Sequence, residues 1–273
     1  MTNRHASSLG RIWQGVIGPA RKYETGAADE KAAVLVYHRI VDQPSERSFY
    51  DVPLAKFERQ MRNIVTHQAK TSNQVLRRIE ITLDDGTADH RRTAEILASF
   101  GLMGVFFIVT GRLGKPGNLS SSDVRALVSL GHRIGSHSVT HRKLPTLSVQ
   151  DLTMEIEKSR EILGQITGIA PEWFAPPGGY LDRRTFAAAR AAGYRYVRTM
   201  DWGYARLPDD KTPNLPISAI PVFPATTDEQ FARILAGTAS FRAFWIKEGL
   251  KRVLGETGYI ALRNQWASFA RRG

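Results

Sequence analysis

The chain has 273 residues, 42% hydrophobic and 23% charged, with 38 Lys or Arg against 26 Asp or Glu for a formal net charge of +12. That length and composition suit one enzyme-sized domain with a large core, such as an α/β barrel, and contain no apolar run of about 18 residues to span a bilayer. The absence of cysteine excludes disulfides, thiol catalysis and thiolate metal ligands.

Leu9, Ile12, Trp13, Val16 and Ile17 recur at the spacing of one apolar helix face, ended by Gly18-Pro19 and surrounded by Arg4, Arg11, Arg21 and Lys22. Such a helix either packs on the domain or lies in a membrane interface. Residues 1–31 thus read as an amphipathic helix and polar linker. They lack the continuous apolar core of a secretory signal, so a cytoplasmic location is the expectation.

A domain over residues 32–240 opens with a buried strand, Ala32 to Tyr37, with His38 at its end. A helix follows from Pro53 to His67, with Leu54, Phe57, Met61 and Ile64 on one face. Ile79 to Leu83 reads as a strand, and Asp89 to Phe100 as a helix ended by Gly101. Ser120 to Asp123 is a helix N-cap cluster, and His132 to Gly135 is strand-like. A long helix runs from Ser148 to about Ile166, with Leu152, Ile156, Ile162 and Leu163 inward and Gln150, Glu155 and Lys158 outward. Arg183 to Ala192 is helical, and Tyr194 to Met200 is a strand. Strands alternating with helices imply βαβ units and a parallel sheet, whose loops gather chemistry on one face. His38, Asp84, Asp85, His137, Pro176 and Asp201 all fall at or just beyond predicted strand ends.

Adjacent carboxylates such as Asp84-Asp85 repel and call for a cation or proton nearby. Fifty-two residues on, His137 and His141 stand at i and i+4, which predicts one face of a helical turn. Two imidazoles and a carboxylate are the ligand set of an open divalent-metal site, with Zn²⁺ usual and Fe, Co or Mn alternatives. Alone, Asp-Asp-Gly is a turn and His-xxx-His a solvated helix face; together, each after a strand-like run, they favour a site.

These residues resemble the polysaccharide deacetylases with a NodB-type domain, carbohydrate esterase family 4. Thr82-Leu83-Asp84-Asp85-Gly86 is similar to the family's first motif, and Gly104 to Thr110 to its next core strand. His137-Ser138-Val139-Thr140-His141, with the lead-in Leu130 to Gly135, resembles the second motif, and Phe174-Ala175-Pro176-Pro177-Gly178 the third. Ala192-Gly193-Tyr194 and Val34 to Ile40 also match, so the likeness spans residues 34 to 202 in order. It implies a distorted (β/α) barrel with fewer than eight strands. It further implies removal of N-acetyl groups from amino sugars, with Asp85, His137 and His141 holding a metal and Asp84 as general base. Pro176, Pro177 and Gly178 would form a groove wall, and Asp201-Trp202 is what remains of a fourth motif.

Three departures limit the likeness. Ala175 stands where much of the family has an arginine for the catalytic aspartate, the fourth motif is reduced, and no histidine follows His141 to serve as the family's late general acid. His38 is the stand-in acid among the residues present. A weakly catalytic carbohydrate-binding homologue and an O-acyl esterase are the alternatives, beside an anion-binding role for the net charge. No nucleic-acid motif accompanies that charge.

Residues 241–273 hold seven Lys or Arg against Glu248 and Glu256, interleaved with Phe241, Phe244, Trp245, Leu250, Val253, Leu254 and Trp266. A basic amphipathic segment of this kind suits an anionic membrane surface, and with it a lipid-linked saccharide at the inner membrane face.

Overall fold

A computed structural model describes residues 31–45, 48–69, 78–207 and 215–242. The expected helix at Leu9 to Ile17 lies outside them, as does all of the basic C-terminal segment beyond Arg242.

β1 (Lys31–Tyr37) is apolar on both faces because it has a parallel neighbour on each side and is covered within and without. It is followed by the short pair β2 (Arg39–Val41) and β3 (Asp51–Pro53), and by helix α1 (Leu54–Ala69). Then come β4 (Arg78–Leu83), α2 (His90–Ser99), β5 (Gly104–Ile108), α3 (Ser121–Ser129), β6 (Arg133–Ser136) and α4 (Val149–Thr167). β7 (Trp173–Phe174), α5 (Arg183–Ala191), β8 (Tyr196–Trp202), β9 (Ala205–Arg206), β10 (Pro216–Pro221) and α6 (Asp228–Leu235) complete the order. Seven parallel strands close a ring in the order β1, β4, β5, β6, β7, β8, β10 and back to β1, where Leu35 pairs Ile220. This is the expected α/β barrel with fewer than eight strands. The closing strand was not foreseen, because β10 is bounded by Pro216 and Pro221, which argue against a strand when read locally.

Side-chain parity divides the barrel wall into an inside and an outside. Ala32, Val34 and Val36 of β1, Val105 and Phe107 of β5, Trp173 and Ala175, and Ile217 and Ala219 of β10 pack together inside. Gly135 belongs to this layer, since a Cβ there would come within 2.5 Å of the Phe107 ring. Outside, Phe174 and Val197 pack under Leu152, Ile156, Leu181, Ala189 and Tyr194 from α4, α5 and their loops. The helices start where polar caps supply acceptors: Ser120 with Asp123 for α3, Ser148 for α4 and Asp182 for α5. Gly101 (φ +68°) follows α2 in the left-handed conformation, one residue past its cap at Phe100. Among the described residues no helix is long and apolar enough to cross a membrane.

Candidate active site

Asp84 and Asp85 follow β4 and His137 follows β6, so strand ends deliver all three to one mouth of the barrel. His141 arrives on the loop beyond. Asp85 Oδ1 lies 3.1 Å from His141 Nε2 and 3.7 Å from His137 Nε2, and the three ligand atoms all lie within 4.8 Å of one another.

The two histidines do not share a helical turn. Residues 137–143 form a loop in which Ser138 and His141 both have φ of 65°. A helix would send the Val139 and Thr140 amides back to earlier carbonyls. Here Glu155 Oε2 accepts both, at 2.9 and 2.8 Å, and the Thr140 hydroxyl donates to Oε1. Glu155, expected to face outward on α4, is therefore fully buried, a carboxylate satisfied by the ligand loop. Ser136 and Ser138 add short links, accepting from the amides of Ser138 and His141. The three non-glycine residues with positive φ among those described are Asp85, Ser138 and His141, so backbone strain is concentrated at this site.

Tautomer and charge are fixed by neighbours. His137 Nδ1 donates to the Ala175 carbonyl at 2.6 Å, leaving the Nε2 lone pair facing Asp85. Burial holds its pKa down to about 4, so the ring is neutral near pH 7. Burial also pushes the Asp85 carboxyl upward, but the contact with His141 and the charges of His137, His38 and His141 outweigh it and leave the pKa far below the usual range. Asp84, 3% exposed, accepts on Oδ2 from Arg198 Nη2 at 2.5 Å, while its Oδ1 is buried without a hydrogen-bond partner. For Asp84 burial again raises the pKa, and Arg198 leads the opposing charges that carry it below the usual value.

Arg198 was not anticipated. It lies on β8 at the inward parity of Tyr196 and Met200, with its guanidinium 5.0 Å over the Phe107 ring. The arginine missing at Ala175 is thus supplied from another strand; the available signal was one charge inside an apolar strand.

His38 reaches the site: burial lowers its pKa, and Asp84 and Asp85 are the charges that most oppose the shift. Its ring lies against Tyr50, centroids 4.3 Å apart and planes tilted by 36°; Tyr50 neighbours Phe223 at 6.5 Å, and Phe223 neighbours Trp202 at 5.8 Å. A half-exposed aromatic wall therefore rises over the ends of β1, β8 and β10, and Trp202 belongs to it. Asp201 precedes Trp202 in β8, its amide bonded to Thr199 Oγ1. Pro176 and Pro177 are buried, and only Gly178 (φ 64°) of that trio is open to solvent, beside Tyr180. The proline pair therefore shapes the backbone of the rim, and Gly178 is its accessible surface. His90 and His132 are spent on structure, their rings bonded to the carbonyls of His38 and Ala94.

The donor set fits a divalent ion. Ligands about 2.0–2.2 Å from a tetrahedral centre lie about 3.3–3.6 Å apart, close to the 3.1 and 3.7 Å that separate Asp85 Oδ1 from His141 and His137.

Residues 72–197 match the family described as polysaccharide deacetylase. That match covers just under half of the chain, and over it the chain is similar to polysaccharide deacetylases. It is 28% identical over 131 residues to a peptidoglycan-N-acetylglucosamine deacetylase of Bacillus cereus, covering 45% of this chain and 46% of the relative. Against a chitin deacetylase of Pestalotiopsis sp it is 28% identical over 139 residues, 48% of this chain and 44% of the relative. The chain thus spans under half the length of either. In solved structures the same fold is seen in a polysaccharide deacetylase from Bacillus cereus (TM-score 0.65, 24% identity, 75% of this chain and 69% of that one). It recurs in a Streptococcus pyogenes deacetylase solved with acetate (TM-score 0.65, 20% identity, 75% and 98%).

Proposed function

We propose that this chain is a polysaccharide deacetylase that hydrolyses the N-acetyl amide of an amino sugar in a saccharide, with a divalent metal held by Asp85, His137 and His141. The observation that carries the reading is the convergence of those three ligand atoms beside an ionised Asp84 whose Oδ1 is unpartnered. A bound ion supplies polarisation of the acetamide carbonyl and a lowered pKa for water. Asp84 does the proton chemistry: Arg198 fixes Oδ2 and keeps the carboxylate charged, so Oδ1 takes the proton as water oxygen bonds to the carbonyl carbon. The C–N bond then breaks, acetate leaves, and the amine departs with a proton.

His38 is the group we assign to that last transfer. Its ring is neutral near pH 7, so it donates only after taking up the proton that Asp84 acquires, and the two carboxylates favour its charged form. Trp202, Tyr50 and Phe223 offer ring faces to the sugar.

The test is acetate release from a panel of N-acetylated saccharides by protein stripped of metal and then reloaded with Zn²⁺, Co²⁺ or Mn²⁺. Release that depends on the added ion supports the reading. Equal release with and without metal overturns the metal assignment, and none from any substrate overturns the activity.

A further inference from the structure

The mouth of the barrel is two-sided. In the strand ring β5 and β6 stand opposite β8, β10 and β1, so the aromatic wall of His38, Tyr50, Phe223 and Trp202 faces the loops after β5 and β6 across the catalytic groups. Those loops are basic. They carry Arg112, Lys115, Arg142 and Lys143, and between Thr110 and Leu147 the one acid is Asp123, consumed in the capping box of α3.

The basic loops are joined at the ligands. The Thr110 and Gly111 amides donate to the Ser138 and Val139 carbonyls at 3.2 and 2.8 Å, so the loop after β5 is bonded to the segment between His137 and His141. Gly111 makes this approach possible, since a Cβ there would lie 2.6 Å from the Val139 oxygen. Arg112 follows that contact directly, and Arg142 follows His141. Among the described residues Arg112, Lys115 and Arg142 form no ion pair, and Lys143 lies 4.1 Å over the ring of Tyr180, at the rim beside Gly178. Uncompensated cations at one edge of a cleft repel one another and draw in an anion.

We propose that the saccharide taken by this site is anionic, with a phosphate or carboxylate group held on the Arg112, Arg142 and Lys143 side while a sugar ring lies against the aromatic wall. The proposal rests on the deacetylase reading and adds the charge of the substrate.

Three matched disaccharides test it: neutral N,N′-diacetylchitobiose, its 1-phosphate, and N-acetylglucosamine linked to N-acetylmuramic acid. At low salt kcat/KM for acetate release should be about tenfold higher for an anionic disaccharide than for the neutral one, the scale expected of a few partly exposed charge pairs. The excess should shrink as salt rises. The phosphate and carboxylate arms identify the source of the charge. In the Arg112→Gln/Arg142→Gln variant the ratio should fall towards one while bound metal is unchanged. Equal kcat/KM for all three substrates, or an anionic preference insensitive to both salt and the double variant, overturns the proposal. If no disaccharide releases acetate, the deacetylase reading fails by itself, and calorimetric titration of the same three into the metal-loaded protein decides: tighter anionic binding that weakens with salt supports the proposal, and equal or absent binding overturns it.

Discussion

Arg198 Nη2 stands 2.5 Å from Asp84 Oδ2, joining two buried residues 114 positions apart in the chain. Both charges are out of water, so each is tolerable only while the other is present. Arg198→Met should therefore lower stability by about 3–5 kcal/mol, as expected when one partner of a buried pair is removed. The double variant Asp84→Asn/Arg198→Met should regain much of that loss. Urea melts of the four proteins check this, and additive effects would show that the two residues are not coupled.

Asp84→Asn alone should reduce turnover by about 10²-fold or more, since an amide cannot accept the proton. Bound metal should stay at the wild-type level, because Asp85, His137 and His141 are untouched. Unchanged turnover at full metal occupancy eliminates Asp84 as the base.

The candidate ligands and base were legible because strand ends announce themselves locally: an apolar run stops, and Asp84-Asp85-Gly86 or His137 begins. Arg198 was hidden because its role depends on strand parity around a closed ring, and closure required β10, whose flanking prolines mask it. Glu155 was misread because charge on a helix ordinarily marks the wet face, whereas this carboxylate faces three donors on a loop that has left the helical path. Ser138 and His141 in the left-handed conformation have no composition signal, so a helical turn was expected where a strained loop stands.

His137→Ala and His141→Ala should each lose bound metal, by elemental analysis of dialysed protein. His137 is the more demanding test, since removing its ring also leaves the Ala175 carbonyl without its donor. Wild-type metal content in both variants would remove them from the ligand set.

Glu155→Gln should weaken metal binding by about 10–100-fold, the scale seen for groups that orient ligands without touching the ion. Glutamine keeps one acceptor oxygen for Val139 and Thr140 but places an amide where the Thr140 hydroxyl now donates. A competition titration with a chromophoric chelator reads this directly. Unaltered affinity together with a lower melting temperature would assign Glu155 to stability alone.

His132 sets an acid limit. Its Nδ1 accepts from the Gly104 amide at 3.2 Å and its Nε2 donates to the Ala94 carbonyl at 2.9 Å, so both ring nitrogens are used in the neutral form and a second ring proton would break the first bond. Burial lowers its pKa, only partly offset by the bond to Ala94, so the folded value lies below the ordinary 6.5. As pH falls through 6.5 the unfolded chain takes up this proton first, which favours unfolding; the stability is intact above that pH and drains away towards the folded pKa. The melting temperature of metal-stripped protein should accordingly begin to fall as pH drops below about 6.5. His132→Gln, which retains a donor and an acceptor but does not titrate, should melt lower at pH 7 and show a flatter decline. Parallel declines for the two proteins would place the acid sensitivity elsewhere.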